Sequence, residues 1–376
     1  MKKILVVIGT RPEAIKMAPL IKALKLDKRF HSKLCITAQH REMLDQVLDI
    51  FDIKPDFDLN LMKKDQKLCD ITALIVKDVG NVLSQFKPDI VLVHGDTTTT
   101  FAAALSAYYK KIPVGHIEAG LRTRNVYLPW PEEANRQLTS VITKYHFCPT
   151  NISKENLINE QVSDESIYVT GNTVIDALFL ALQHIKKDKN LTNRFEKKFK
   201  FIDPSKKMIL VTGHRRESFG DDFINICNAI KDISLKNNDI QIVYPVHLNP
   251  NVQKPVSKIL SQLNNVFLLD PQEYLPFIFL MSKSHILLTD SGGIQEEGPS
   301  LGKPVLVMRD STERPEAIHA GTAKLVGTQP HKIIYEVEKL LNSKKEYEKM
   351  SKSHNPYGDG KACERICNIL GETIEL

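Results

Sequence analysis

Asp290-Ser-Gly-Gly-Ile-Gln-Glu-Glu297 places, in one short segment, groups suited to two parts of a single ligand. An apolar, strand-like run at 285–289 precedes it, and a stretch that can be helical follows. Ser291, Gly292 and Gly293 then fall at a strand-to-helix turn, where uncommitted backbone N–H groups and the helix dipole attract an anion such as phosphate. Glu296 and Glu297, about one turn later, would repel that phosphate but suit the neutral hydroxyls of a ribose diol. An anion and a diol together suggest a nucleotide. A capped helix with solvated glutamates is the competing reading.

Cationic side chains recur at the ends of other apolar runs. Arg11 and Lys16 flank a helix start after the run 3–8, His214, Arg215 and Arg216 follow 208–213, and Arg314 stands before Pro315. The pentapeptide Arg-Pro-Glu-Ala-Ile occurs at 11–15 and again at 314–318, each time with Pro in a helix's first turn, where its missing N–H costs nothing. Arg meets phosphate oxygens with paired hydrogen bonds, whereas Lys supplies a point charge. Singly, each reads more readily as a surface charge than as a ligand. Together, at strand ends in both halves of the chain, they suit a diphosphate bridged across a cleft.

Acidic positions stand beside them. Asp96 ends the run 89–95, Glu118 ends 113–117, and Glu132 opens a helix after Pro129-Trp-Pro131. Asp96 could instead cap the Thr-rich helix start behind it, and Glu132 could serve a helix dipole. Carboxylates next to a cationic phosphate site are what proton transfer needs on a sugar whose leaving group is a nucleotide. His94, His116 and His247 also end strands and read as hydrogen-bonding residues of the cleft wall, since no spacing suggests a metal site.

The elements that must hold these residues are short Val- and Ile-rich runs alternating with amphipathic stretches. Strands are expected at 3–8, 33–38, 89–94, 113–117, 144–148 and 167–170, then at 208–212, 240–246, 266–269, 285–289, 304–308 and 323–326. Runs apolar on both faces mark parallel sheets built from βαβ units. A chain of 376 residues exceeds one ordinary core. The expected fold is α/β: two doubly wound Rossmann-like domains with a cleft between them. Residues 1–171 form the first and 172–357 the second, with a last helix within 358–376 crossing back and a charged, mobile stretch at 186–207.

The net charge of +6 is spread along the chain, so a nucleic-acid surface is not indicated. Six cysteines form no C-x-x-C pair or metal-ligand pattern and read as free thiols. Neither a G-x-G-x-x-G after the first strand nor a Walker loop is present, which argues against NAD and ATP, and no cofactor is expected. The opening apolar run is too short for an export signal, and no stretch is long enough to insert in a membrane, so a cytoplasmic protein is expected.

Gly9-Thr-Arg-Pro-Glu-Ala-Ile-Lys16, His94-Gly-Asp-Thr-Thr-Thr-Thr100, His116-Ile-Glu-Ala-Gly-Leu-Arg122, Pro129-Trp-Pro-Glu-Glu-Ala-Asn-Arg136, Gly213-His-Arg-Arg-Glu-Ser218, Asp290 to Glu297 and Thr312-Glu-Arg-Pro-Glu-Ala317 closely resemble the non-hydrolysing bacterial UDP-N-acetylglucosamine 2-epimerases. The resemblance runs through Asn355-Pro-Tyr-Gly-Asp-Gly360. It implies the two-domain glycosyltransferase-B fold, a homodimer, and interconversion of UDP-N-acetylglucosamine and UDP-N-acetylmannosamine for surface polysaccharide synthesis. In the family, UDP is eliminated across C1–C2 to give 2-acetamidoglucal and then re-added. Matching positions imply that Arg11, Lys16, His214, Ser291, Gly292, Gly293, Glu297 and Arg314 contact UDP, with Arg215 beside them and Gln272 and Phe277 near the uracil. Asp96, Glu118, Glu132 and His214 are the acid–base candidates, with Asp96, Glu118 and His214 also touching substrate.

Some members bind a second substrate molecule as activator through an Arg; Asp65 stands at that place here, while Gln39 and His247 match other parts of that allosteric site. A glycosyltransferase of the same fold, a hydrolysing epimerase and a non-catalytic nucleotide-sugar sensor are the alternatives. Retention of all four acid–base candidates argues against the sensor.

Overall fold

The computed structural model describes residues 1–37, 41–61 and 66–374, with backbone only at 41–43. It divides into two compact units, Met1–Ala177 with Tyr357–Leu376, and Leu178–Pro356. The first turn of the helix Thr173–Lys187 thus belongs to the first unit, a few residues past the 171/172 boundary expected from sequence.

The first unit holds seven parallel strands: β1 (Lys2–Ile8), β2 (Phe30–Ile36), β3 (Phe57–Asp58), β4 (Ile90–His94), β5 (Val114–Ile117), β6 (Tyr145–Cys148) and β7 (Ile167–Val169). Their order is β3-β2-β1-β4-β5-β6-β7. In the second unit β8 (Lys207–Thr212), β9 (Ile240–Pro245), β10 (Val266–Leu269), β11 (Ile286–Thr289), β12 (Val305–Val307) and β13 (Ala323–Leu325) run in the order β10-β9-β8-β11-β12-β13. Every strand expected from the apolar runs is present; only the two-residue β3 had no signal, being too short to show alternation.

Both sheets reverse direction of growth once, between β1 and β4 and between β8 and β11. At such a switch point the connections leave the strand ends on opposite faces of the sheet, opening a crevice beyond their carboxyl ends. The residues that occupy it are Gly9–Lys16 and Gly95–Thr97 in one unit, and Gly213–Arg215 and Asp290–Gly293 in the other.

The strands hold their place by burial on both faces. Ile4 to Ile8 are at most 1% exposed, and Ile209, Leu210, Val211, Ile286, Leu287 and Leu288 are equally enclosed. At about 25 cal/mol per Å² of apolar surface removed from water, each such side chain contributes about 1.5–3 kcal/mol, which fixes the strand ends that carry the polar groups. All six cysteines are free thiols; five are buried, including Cys363 and Cys367 on one face of the last helix.

That helix, Ala362–Thr373, packs in the first unit. The Asp176 carboxylate accepts from the backbone N–H groups of Ala362 and Cys363 at 3.2 and 2.9 Å, and Lys2 Nζ donates to the Gly371 carbonyl at 2.6 Å. The charged stretch 186–207, read from the sequence as mobile, contains the helix Lys189–Lys198: Asp188 caps it, and Phe195 and Phe199 bury against Phe279. Two apolar anchors in a charged background sufficed to order it. Among the described residues no helix is long and apolar enough to cross a membrane.

Candidate active site

The first unit opens a cavity of about 460 Å³ at its switch point, lined by Thr10, Arg11, Pro12, Glu13, Lys16, His94, Gly95, Asp96, Thr97 and Glu118. Arg11 and Lys16 reach it from the first turns of the helix Arg11–Leu26, which Thr10 caps and Pro12 opens. Asp96 and Glu118 reach it from the ends of β4 and β5, which pair in register with His94 opposite Ile117. Glu118 itself adopts a left-handed backbone, φ +63°, a conformation that non-glycine residues rarely hold and that re-aims its side chain.

The two carboxylates are held differently. Glu118 Oε2 accepts from Lys16 Nζ at 2.5 Å and from Asn172 Nδ2 at 2.8 Å, with His94 Nε2 3.9 Å away. Asp96 Oδ2 accepts from Arg136 Nη2 at 2.5 Å, and Arg136 Nη1 lies 3.3 Å from Glu133 Oε2. The reading of Asp96 as a helix cap gives way here, because Thr97 caps the helix Thr98–Tyr109 by accepting from the Thr100 N–H at 3.1 Å. Asp96 is left facing the cavity.

Burial raises the Asp96 carboxyl above its ordinary value; Arg136 and Lys16 oppose this, while the negative charges of Glu118 and Glu132 add to it. Glu132 stands at the first position of its helix and is not part of the cavity lining, so its connection to Asp96 is one of charge. His94 and His116 are buried and held neutral: burial lowers both to about 4. His116 Nε2 bonds the Gly95 carbonyl at 2.7 Å, but neither ring nitrogen of His94 has a hydrogen-bond partner among the described residues, contrary to its expected role.

Glu13 was not singled out from the sequence, although Thr10-x-x-Glu13 has the capping-box spacing. It is 2% exposed. One oxygen accepts from the N–H groups of Gly9 and Thr10 at 3.0 and 2.7 Å, the other from the hydroxyls of Thr97 and Thr100 at 2.8 and 3.3 Å. The turn after β1 is thereby fastened to the turn after β4. Glu13 also fills with its own carboxylate the amide nest that an external phosphate would use in a dinucleotide fold. Arg136 and Asn172 likewise lacked a local signal, since their partners lie far away in sequence.

The second unit has a cavity of about 280 Å³ at its own switch point, lined by Thr212, Gly213, His214, Pro245, His247, Pro271, Gln272, Phe277, Ser291, Gly293, Ile294 and Glu297. The helix Gly292–Ser300 begins there, and Ser291 makes no side-chain capping bond, so its hydroxyl leaves the first-turn N–H groups uncovered. Asp290 organises the facing loop: Oδ2 accepts from the N–H groups of His214 and Arg215 at 2.6 and 2.7 Å, and Oδ1 is 3.4 Å from His214 Nδ1. The His214 ring stacks on His247 at 5.3 Å between centroids. Burial lowers the His214 pKa, Asp290 pulls it back up, and His247 and Arg215 lower it further.

Arg215, Gly292 and Arg314, expected at the ligand, are not part of the cavity lining. Arg314 is ion-paired with the buried Glu296, which leaves Glu297 as the glutamate on the cavity wall. Arg215 Nη2 is 2.8 Å from Glu313 Oε1; Glu313 Oε2 is 2.6 Å from Arg309, which also binds Glu217 at 2.6 Å. A Cβ on Gly292 would lie 2.8 Å from Glu313 Oε1, so a larger residue there would make the Glu313 carboxylate shift within this network. Gln39 and Asp65, candidates for a second site, lie outside the described residues; His247 lines the cavity. Among the described residues no cluster could hold a metal ion.

Phosphate-ready amides at one switch point and paired carboxylates at the other are what a nucleotide-sugar enzyme requires. A family model described as UDP-N-acetylglucosamine 2-epimerase matches residues 22–371. The chain belongs to the UDP-N-acetylglucosamine 2-epimerase family. It is 60% identical to the UDP-N-acetylglucosamine 2-epimerase of Escherichia coli K12 over 98% of both chains. Among solved structures, the family member from Neisseria meningitidis, crystallised bound to UDP-GlcNAc, is 57% identical, with a TM-score of 0.88 over 98% of this chain and 99% of that one. The Methanocaldococcus jannaschii enzyme, in complex with UDP-GlcNAc and UDP, is 34% identical with a TM-score of 0.78 over 98% and 99%. The fold of two parallel-sheet α/β domains and the isomerase class of the chain follow from this membership.

Proposed function

We propose that the protein interconverts UDP-N-acetylglucosamine and UDP-N-acetylmannosamine by eliminating UDP across C1–C2 and adding it back to 2-acetamidoglucal. The observation that carries this reading is the pair of carboxylates on adjacent strands, Asp96 and Glu118, in one cavity but each with its own cation. A C2 hydrogen is not adjacent to a carbonyl, so a base alone does not remove it; the C1–O bond must break toward an anionic UDP. The N–H groups of Gly292 and Gly293 and the side chains of His214 and Ser291 would receive the diphosphate, and Glu297 the ribose diol. Gln272 and Phe277 would lie against the uracil. Arg11, Lys16, Arg215 and Arg314 supply positive charge for the departing anion.

Glu118 then serves as base on one face of C2 and Asp96, whose carboxyl is raised, as proton donor on the other, with Glu132 and His214 assisting. Positioned acid–base groups contribute about 3–5 kcal/mol. An aimed donor at a developing oxyanion contributes about 3–4 kcal/mol. Both sets are needed. The same reading gives a cytoplasmic protein feeding surface polysaccharide synthesis as a homodimer; the homodimer is supported by the apolar Tyr108, Tyr109, Leu138 and Val141, which stand exposed on two helices of the first unit. Incubation with UDP-N-acetylglucosamine in D₂O, with no acceptor, tests it: both epimers should appear, each carrying deuterium at C2. Release of free N-acetylmannosamine, or no exchange, overturns it.

A further inference from the structure

The segment just before the chain leaves the first unit contains a polar residue to which the proposed chemistry assigns no part. Asn172 is 3% exposed. Its side-chain amide donates to Glu118 Oε2 at 2.8 Å, and its carbonyl oxygen accepts from the Val174 N–H at 3.1 Å, which fixes which end of the amide faces Glu118. Its backbone N–H donates to the Tyr357 carbonyl at 2.7 Å. The chain passes to the second unit after Ala177 and returns at Tyr357, so Asn172 joins the outgoing and incoming segments at the point where it also touches Glu118.

Neighbouring contacts make this junction rigid. Gly171 adopts φ +88°, and a Cβ there would come 3.3 Å from the Tyr357 carbonyl oxygen, so the two segments touch backbone to backbone. Arg365 Nη1 donates to the Thr170 carbonyl at 3.0 Å, and Asp176 caps the returning helix. Tyr357 is 1% exposed. A side-chain amide in such a frame has one orientation, and it hands that orientation to the carboxylate it binds.

We infer that Asn172 is a positioning residue for epimerisation: its amide sets the direction of the Glu118 carboxylate and ties it to the paired segments through which the chain leaves and re-enters the first unit. The inference rests on the reading of Glu118 as an acid–base group. A lysine can neutralise Glu118 from many directions because its ammonium is a point charge on a flexible stem. The planar amide of Asn172 is directional. Without the Asn172 amide, the carboxylate keeps its charge beside Lys16 but loses a directional donor, which harms turnover and not binding.

The groups facing Glu118 are Lys16 on the helix Arg11–Leu26, His94 and Asp96 at the end of β4, and Asn172 itself; the Glu118 charge also acts on His116 of β5. Replacing Asn172 by Asp keeps the acceptor for Val174 and turns the donor into a second carboxylate against Glu118. Asn172→Asp and Asn172→Ala are compared with wild type for kcat, KM, the pH profile of kcat, and UDP affinity by calorimetry, with folding checked by circular dichroism. Asn172→Ala should lower kcat about 10- to 100-fold with KM and UDP affinity within about twofold. Asn172→Asp should lower kcat at least as far and move the acid limb of the profile upward, as a like charge does.

If Asn172→Ala does not fold, Asn172→Asp alone decides. Wild-type kcat with an unmoved acid limb overturns the inference, and so does a loss of UDP affinity matching the loss of kcat. Glu118→Gln is the control for the underlying reading: if it retains wild-type turnover, that reading fails independently of Asn172.

Discussion

Glu313 offers a test of how the second unit prepares its anion site. Burial by itself would raise its carboxyl, but a backbone hydrogen bond, the Arg309 hydrogen bond and the charges of Arg215 and Arg309 together bring it from 4.5 to about 2. At about 1.4 kcal/mol for each tenfold change in proton affinity, this is worth about 3 kcal/mol. The side chain is 31% exposed, and solvent screening reduces that figure to about 2 kcal/mol. Because the folded-state value lies below the unfolded one, the stabilisation is fully present above pH 4.5 and is lost as the pH falls toward about 2.

Glu313→Gln keeps the shape and removes the charge, leaving the 8%-exposed Arg309 with Glu217 alone. The variant should therefore lose about 2 kcal/mol of second-unit stability at pH 7 and about 1 kcal/mol at pH 3. Amide hydrogen exchange of peptides covering β8 and β11, followed against urea, reads that unit directly. Peptides covering β1 and β4 of the first unit, followed in the same exchange experiment, serve as an internal control and should not move. Equal protection of variant and wild type at pH 7, or a difference as large at pH 3, would refute the reasoning.

Asp96→Asn should lower kcat by about 10²–10⁴-fold while UDP affinity, measured by calorimetry, stays unchanged; a variant with normal turnover removes Asp96 from the mechanism. Glu13→Ala orphans the N–H groups of Gly9 and Thr10 and removes an acceptor from Thr97, while the Thr100 hydroxyl keeps the His94 carbonyl; it should destabilise the first unit by about 2–4 kcal/mol, whereas Glu13→Gln can bridge both turns and should cost about 1–2 kcal/mol, each read from amide hydrogen exchange of peptides covering β1 and β4 against urea. Gly120→Ala should cost about 2–4 kcal/mol in the same assay, since φ is +86° and the new methyl would meet the Ser153 carbonyl oxygen at 2.2 Å. His94, His116 and His146 are lowered to about 4, 4 and 3 by burial, so the unfolded state binds protons first as the pH falls. The histidines by themselves should lower first-unit stability below pH 6.5 by up to about 4 kcal/mol per pH unit, offset in part by Glu13, Asp96 and Asp176, whose carboxyls burial raises; a stability that increases as the pH falls from 6.5 to 4.5 contradicts this.

Much of this protein was legible in its residues alone. The apolar runs, enclosed on both faces, located twelve strands, because a parallel strand needs a nearly continuous hydrophobic stretch and its signal is local. Gly292 and Gly293 after β11, and Arg11 and Lys16 after β1, were readable for the same reason: a strand followed by a helix dictates where the free N–H groups must be. What no local pattern could give was the pairing across distance. Lys16 and Asn172 meet on Glu118, Arg136 meets Asp96, and Arg215 meets Glu313, because the strand order sets the ends of β1, β4 and β5, and of β8, β11 and β12, side by side; Arg309, four residues before Glu313, is within local reach. Strand order is set by how helices cover the sheet faces, a property of the whole packed layer. Residue types thus decided which groups the protein owns, and the folded sheets decided which of them touch.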